Sequence, residues 1–341
     1  METVDSNNIK QIQIDVTSYC NSFCGSCIRN INGGPVNPMV KLQHMPWDIW
    51  KKIVDFCSET TVDRLSFNGN YGDLSNHPDI IEMFEYLHTK NPNTILNIHT
   101  NGGARNTTFW KDLAKVVGKF PSSYVTFSID GLKDTNHIYR RGVDFDRIME
   151  NAAAYISADG EARWRMIVFD HNKHQLQEAR DTAKQMGFFA FSLNRSYSTE
   201  LQVDAYKEFP QANITAPTAA EVNSLRKEYE YTNYLPKNSN VTNYDDYPKL
   251  DTKCPWAELL QIQINQLGEV WPCCYLSFSS GMASRYRFKY FDEKAELYGK
   301  HFNNLNYYDL KDIVDHDFFQ KDLPYSWEHS LLGICTQKCG V

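Results

Sequence analysis

The stretch IQIDVTSYCNSFCGSCIR, Ile12–Arg29, runs from an apolar β pattern straight into three cysteines, Cys20, Cys24 and Cys27. Ile12–Ser18 reads as a strand because β-branched residues alternate with polar ones. PWDIWKKIVDFCSE (Pro46–Glu59) follows, with apolar residues at helical spacing behind a proline suited to a first turn. The alternation then repeats. DRLSFNG precedes a helical pattern over about 78–90, and TILNIHTNGG precedes one over 107–117. SYVTFSIDG leads to FDRIMENAAAYIS, RWRMIVFD leads to KHQLQEARDTAKQMG, and FFAFSLNR closes the series. Strands separated by helices of this length pair in parallel. Six such units in residues 1–195 are too few for a closed eightfold barrel. The expected fold is α/β, a partial, open (βα)6 TIM-like barrel. In such sheets the chemistry collects at the C-terminal strand ends. The cysteines, NGNYGD, TNGG and SIDG all fall there.

Residues 196–251 differ, being rich in Tyr, Asn, Asp and Pro with one helical patch near Ala219–Tyr231. They read as a bridge over the barrel mouth. Residues 252–341 hold five of the nine cysteines and read as a separate small α+β domain. With 341 residues, 42% of them hydrophobic and 23% charged, the chain supports a sizeable core. The charge, 35 − 42 = −7 with no basic block, argues against a nucleic-acid partner. No stretch approaches the roughly 18 apolar residues of a membrane span. The N-terminal METVDSNNIKQ lacks the apolar run of a secretion signal, so a cytoplasmic location is expected. Cysteines in a reducing compartment serve metals or catalysis rather than disulfides.

Structural zinc takes four ligands, whereas a [4Fe–4S] cluster on three cysteines keeps one iron open. The C-x3-C-x2-C spacing after the first strand resembles the radical S-adenosylmethionine superfamily. The resemblance implies a cluster on Cys20, Cys24 and Cys27, with S-adenosylmethionine on the open iron. Reductive cleavage would then yield a 5′-deoxyadenosyl radical that takes a hydrogen atom from the substrate. One departure is Ser26, where the family has an aromatic residue. The nearby aromatic is Phe23, and the adenine contact stays unassigned.

FNGNYGDLSNHP is similar to the family's GGEP region. The similarity assigns Gly69, Asn70, Tyr71, Gly72 and Asp73 to the cofactor, with Leu74 in place of the usual proline. A side chain at Gly69 is expected to obstruct that ligand more than the fold. HTNGG and FSIDG resemble further strand-end strings of the family and imply cofactor roles for Asn101, Ser128 and Asp130. An ordinary turn reading of each stands beside this. Arg165 suits a cofactor carboxylate. Arg140 and Arg141 suit a substrate anion or a solvated pair.

Within CPWAELLQIQINQLGEVWPCC (Cys254–Cys274), LQIQINQLGEVWPCC reads as a β-hairpin that turns at Gln266–Gly268 and ends on thiols. With the later CTQKCG it resembles the twitch and SPASM domains, which carry auxiliary clusters. The resemblance implies a second [4Fe–4S] cluster on Cys254, Cys273, Cys335 and Cys339. Cys274 is left over on the opposite face of the strand, and Cys57 reads as a buried small hydrophobe. A four-cysteine zinc knot is the alternative. The implied activity is oxidation of a small-molecule, sugar-like or peptide substrate, fed by an external one-electron reductant such as flavodoxin or ferredoxin. The rivals are a radical epimerase using a hydrogen donor such as Cys274, a peptide crosslinking enzyme, and a non-catalytic iron–sulfur or zinc protein.

Overall fold

The computed structural model describes residues 3–31, 33–196, 214–232, 254–281, 289–329, 331–332, 335 and 339. Its frame is one open nine-stranded sheet, in the order β7-β6-β5-β4-β3-β2-β1-β8-β9. The first six strands are β1 (Gln11–Ile14), β2 (Arg64–Phe67), β3 (Ile95–Thr100), β4 (Tyr124–Ser128), β5 (Ala162–Val168) and β6 (Ala190–Arg195). All pair in parallel. The helices between them are α1 (Trp47–Glu59), α2 (Ile80–Lys90), α3 (Thr107–Val117), the short α4 (Asn136–Tyr139), α5 (Phe145–Ser157) and α6 (Leu176–Met186). The expected partial barrel is therefore present, and its sheet does not close.

β1 is shorter than its pattern, ending at Ile14. Beyond it the polar residues turn to other partners: Ser18 Oγ donates to the Lys41 carbonyl at 2.9 Å, and Thr17 Oγ1 meets His44 Nδ1 at 2.9 Å.

Alternation along the strands divides the sheet into two faces. Ile12, Leu65, Phe67, Ile98, Phe127 and Trp164 belong to one core with the helices. The opposite face is polar. Register places Gln13 beside Ser66 and Gln263, and Ser128 beside Arg165. A parallel sheet packed on both faces would read as continuous apolar runs. Strings such as QIQI and ARWRMIV instead leave one face for polar contents.

The C-terminal segment joins this sheet. β8 (Gln261–Ile264) lies parallel to β1, pairing Gln11 with Gln261 through Ile14 with Ile264. Two identical QIQI strings thus stand side by side in register. β9 (Val270–Trp271) returns antiparallel, forming the expected hairpin. The segment expected to stand apart contributes two strands to the barrel sheet instead.

Of the bridge, residues 214–232 are described. α7 (Ala219–Tyr229) starts with a capping box between Thr218 and Glu221. β7 (Tyr231–Thr232) pairs antiparallel with β6. This part covers the open edge of the sheet. The rest of the bridge, where a crossing of the barrel mouth was expected, lies outside the described residues.

After the short α8 (Pro255–Glu258), β8 and β9, the chain forms α9 (Cys274–Gly281), α10 (Lys289–Tyr298), α11 (Leu310–Val314) and α12 (Leu323–Glu328). Cys274 therefore opens a helix and does not continue a strand. Pro272 explains the difference: it has no N–H for the ladder, so pairing stops at Trp271. No helix among the described residues is long and apolar enough to cross a membrane.

Candidate active site

The three N-terminal cysteines sit on one loop beyond the C-terminal end of β1. The loop is pinned from several sides. Arg29 Nε donates to the Ser18 carbonyl at 2.7 Å, and the Phe23 amide donates to the Arg141 carbonyl at 2.8 Å. Polar groups converge on the sulfurs. The Ser22 amide and Asn101 Nδ2 reach Cys20 Sγ at 3.3 and 3.5 Å. Ser22 Oγ lies 3.1 Å from Cys24 Sγ, and an Arg140 terminal nitrogen lies 3.8 Å from it. Burial pushes the Cys20 thiol up, and the negative charges of Asp73 and Cys24 add to this. Burial and the neighbouring Cys24 push Cys27 up to about 11. Three sulfurs on one loop, two of them held up by burial, suit a cationic partner, since a coordinating metal deprotonates its thiols outright. Donors already aimed at two of them fit an iron–sulfur cluster.

The loop after β2 packs directly beneath. A Cβ on Gly72 would stand 2.5 Å from the Thr17 carbonyl oxygen and 2.6 Å from that of Tyr19. Only a bare backbone permits that approach. We expect Gly72→Ala to displace the cysteine loop and to lower the iron content of the anaerobically loaded protein. An unchanged iron count would contradict this. Gly69 has φ +70°, and its Cβ would stand 2.7 Å from the Gly72 carbonyl oxygen. A side chain at 69 thus strains its own loop, a cost to the fold that adds to any obstruction of a ligand.

The side chains of this loop act as ties. Asp15, at the end of β1, accepts from the Asn70 amide at 2.7 Å, from Asn70 Nδ2 at 3.1 Å and from Gln263 Nε2 at 2.7 Å. Tyr71 is buried, and its hydroxyl meets Ser277 Oγ on α9 at 2.7 Å. The Asp73 carboxylate accepts from Ser75 N (3.1 Å), Ser75 Oγ (2.5 Å), Thr100 Oγ1 (3.0 Å) and Asn101 N (2.6 Å). The carboxylate expected at a cofactor instead joins the loops after β2 and β3.

Asn101 sits between Asp73 and the cysteines, with Nδ2 also 3.0 Å from Asn21 Oδ1. Asp130 is fully buried. It accepts from Arg140 Nε at 2.7 Å and from the Ile167 amide at 2.6 Å. Its carboxylate is engaged by the protein, and Arg140, with its side chain 14% exposed, is a buried ion-pair partner and not a solvated residue. Arg141 reaches the Gly33 carbonyl at 3.3 Å. Ser128 and Arg165 neighbour each other on the polar face of β4 and β5. A terminal nitrogen of Arg165 lies 3.5 Å from His99 Nδ1. Burial and the charges of Arg165 and Arg163 hold His99 neutral. Its Nδ1 then accepts from Arg165, and its Nε2–H is left as a donor.

At the C-terminal side, Cys254, Cys273, Cys335 and Cys339 line one cavity with Pro272, Tyr275, Leu276 and Trp327. A hydrogen bond from Cys339 brings Cys254 down to about 7 and raises Cys339. Burial pushes Cys335 up to about 12. Cys274 is outside this lining. None of the nine cysteines forms a disulfide. Among the described residues, no three His, Cys, Asp or Glu side chains are gathered so as to hold a single metal ion.

Residues 14–183 match the family described as the radical SAM superfamily. The chain belongs to the radical SAM superfamily through these residues. The match spans the cysteine loop, the Gly69–Asp73 loop, the strand-end residues Asn101, Ser128 and Asp130, and Arg165 within β5. Solved structures of similar fold extend the likeness to the C-terminal segment. Streptococcus suis SuiB bound to precursor peptide SuiA aligns with a TM-score of 0.61 at 16% identity, covering 90% of this chain and 64% of SuiB. The radical SAM protein described here thus spans less than two thirds of SuiB. The anSMEcpe protein with bound AdoMet aligns with a TM-score of 0.55 at 15% identity, covering 96% of this chain and 80% of that one. The anSMEcpe complex with bound AdoMet and Cp18Cys peptide aligns with a TM-score of 0.52 at 15% identity, covering 95% and 82%. No curated protein matches the chain.

The segment that matches the family carries the three-cysteine loop at the C-terminal end of the parallel strands. Sequence reading missed the parts that Asp15, Arg140 and Ser277 play around it. Asp15 and Ser277 carry no motif, and Arg140 stands in an arginine pair whose buried partner is set by the fold.

Proposed function

We propose that this chain is a radical S-adenosylmethionine enzyme that oxidises a peptide or small-molecule substrate with the help of a second cluster. Cys20, Cys24 and Cys27 hold the catalytic [4Fe–4S] cluster. When bound, the cluster and S-adenosylmethionine supply a 5′-deoxyadenosyl radical that takes a hydrogen atom from the substrate. Asp73 and Asn101 hold the loops that frame the cluster. The backbone of Gly69–Gly72 faces the cofactor, while the side chains of Asn70 and Tyr71 keep it in place. Arg165 and Ser128 offer donors toward the cofactor carboxylate. An external one-electron donor such as flavodoxin or ferredoxin feeds the site.

Residues 252–341 form the unit that carries the auxiliary cluster, on Cys254, Cys273, Cys335 and Cys339. The observation that carries the reading is the cavity these four cysteines line, far along the chain from the open three-cysteine loop. A fully ligated cluster has no open iron for a substrate, so its role is to accept the second electron of the oxidation. Peptide substrates come first because SuiB and anSMEcpe each hold a peptide in a structure of this fold. The buried, unpartnered amide oxygens of Gln13, Asn97 and Gln263 suit a ligand that donates hydrogen bonds, such as a peptide or a sugar.

Single alanine variants with iron counts and Mössbauer spectra test the ligand set. Alanine at 254, 273, 335 or 339 is expected to remove the second cluster, and Cys274→Ala is expected to keep it. Loss in Cys274→Ala with retention in Cys339→Ala would show the ligand set to be wrong. The same Cys274→Ala protein separates oxidation, which continues, from epimerisation, which needs a hydrogen donor and stops.

A further inference from the structure

We propose that Arg140, fixed by Asp130, raises the reduction potential of the cluster on Cys20, Cys24 and Cys27. The inference rests on those three cysteines holding that cluster.

Arg140 follows α4 and turns inward. Its side chain is 14% exposed and that of Asp130 is 0% exposed. Asp130 is itself anchored, since Oδ1 accepts from the Ile167 amide at 2.6 Å and its own amide donates to Asn136 Oδ1 at 2.9 Å. Oδ2 then accepts from Arg140 Nε at 2.7 Å. This leaves a terminal guanidinium nitrogen 3.8 Å from Cys24 Sγ. The Tyr139 ring lies under the guanidinium, 5.6 Å away, and packs on Phe169. The cation is held in a dry setting, in one orientation, against one cysteine sulfur.

Arg29 lies close enough to influence Cys27, but its Nε is given to the Ser18 carbonyl and a terminal nitrogen to Asn30 Oδ1. Ser22 and Asn101 are neutral donors. Arg140 brings both a charge and an N–H to the sulfur.

Reduction adds one electron, taken from an external one-electron donor, and neither makes nor breaks a bond. The cluster becomes more negative by one unit beside a guanidinium that stays charged at any working pH. Hydrogen bonds and net charge around cluster sulfurs set the potential. A fixed cation therefore favours the reduced form. A merely structural role for the Arg140–Asp130 pair would leave the potential alone.

The test is an EPR-monitored redox titration of anaerobically loaded protein, comparing wild type with Arg140→Gln, Arg140→Met and Arg140→Lys. The signal missing from a variant with alanine at positions 20, 24 and 27 marks the cluster concerned. The neutral variants are expected to keep full iron but to be about tenfold less reduced at a fixed poise, a fall of about 59 mV for one electron. Arg140→Lys keeps the charge and is expected to titrate near wild type. An unchanged midpoint in a neutral variant with full iron overturns the proposal. So does loss of iron in both neutral variants, which would make Arg140 an assembly residue. If the triple-alanine protein retains all its iron and both signals, the fault lies in the cysteine assignment and not in Arg140.

Discussion

Alanine at Cys20, Cys24 and Cys27 together is expected to remove about four of about eight iron atoms and all formation of 5′-deoxyadenosine. The three sulfurs share one loop, and no other cysteine of the chain lies on it. The four C-terminal cysteines line a separate cavity with Pro272 and residues of α9 and α12, so a cluster held there should survive. Iron analysis and chromatography of the reduced reaction read both effects. Wild-type iron in the triple variant, or continued cleavage of S-adenosylmethionine, would place the catalytic cluster elsewhere.

Asp73→Ala is expected to cost about 4 kcal/mol and to empty the N-terminal site. The carboxylate serves four donors, on Ser75, Thr100 and Asn101, at a position only 5% exposed. Each buried donor left without a partner costs about 1–3 kcal/mol, less whatever relaxation recovers. The loss would spread to Asn101, whose side chain reaches Cys20. Thermal unfolding and iron content should fall together, and Asp73→Asn, which keeps an acceptor of the same shape, should fall less. A protein of wild-type stability that merely binds S-adenosylmethionine weakly would show Asp73 to be a cofactor ligand and not a tie.

The barrel strands and their helices were legible because local periodicity encodes them. Thr107–Val117 and Phe145–Ser157 show the 3.6-residue period and occur as helices over those spans. The β8–β9 hairpin was legible for a similar reason. The pairing of the two QIQI strings was not. It joins residues about 250 positions apart, and identical tetrapeptides carry no sign of becoming neighbours. Cys274 was misplaced because alternation was carried through Pro272, which stops it. At the site, the cysteine spacing singled out one loop, but side-chain roles depended on burial. Asp73 and Asp130 looked like ligands in strand-end strings. Each spends its carboxylate inside the protein, on donors that the fold brings from Thr100, Asn101, Arg140 and Ile167.

The most direct measurement is the yield of 5′-deoxyadenosine when the wild-type protein, anaerobically loaded with iron and sulfide, is reduced in the presence of S-adenosylmethionine. A radical enzyme with its open iron at Cys20, Cys24 and Cys27 forms it, in an amount that falls to nothing when those cysteines are replaced. Fully loaded protein that leaves S-adenosylmethionine intact would contradict the assignment of this chain as a radical catalyst.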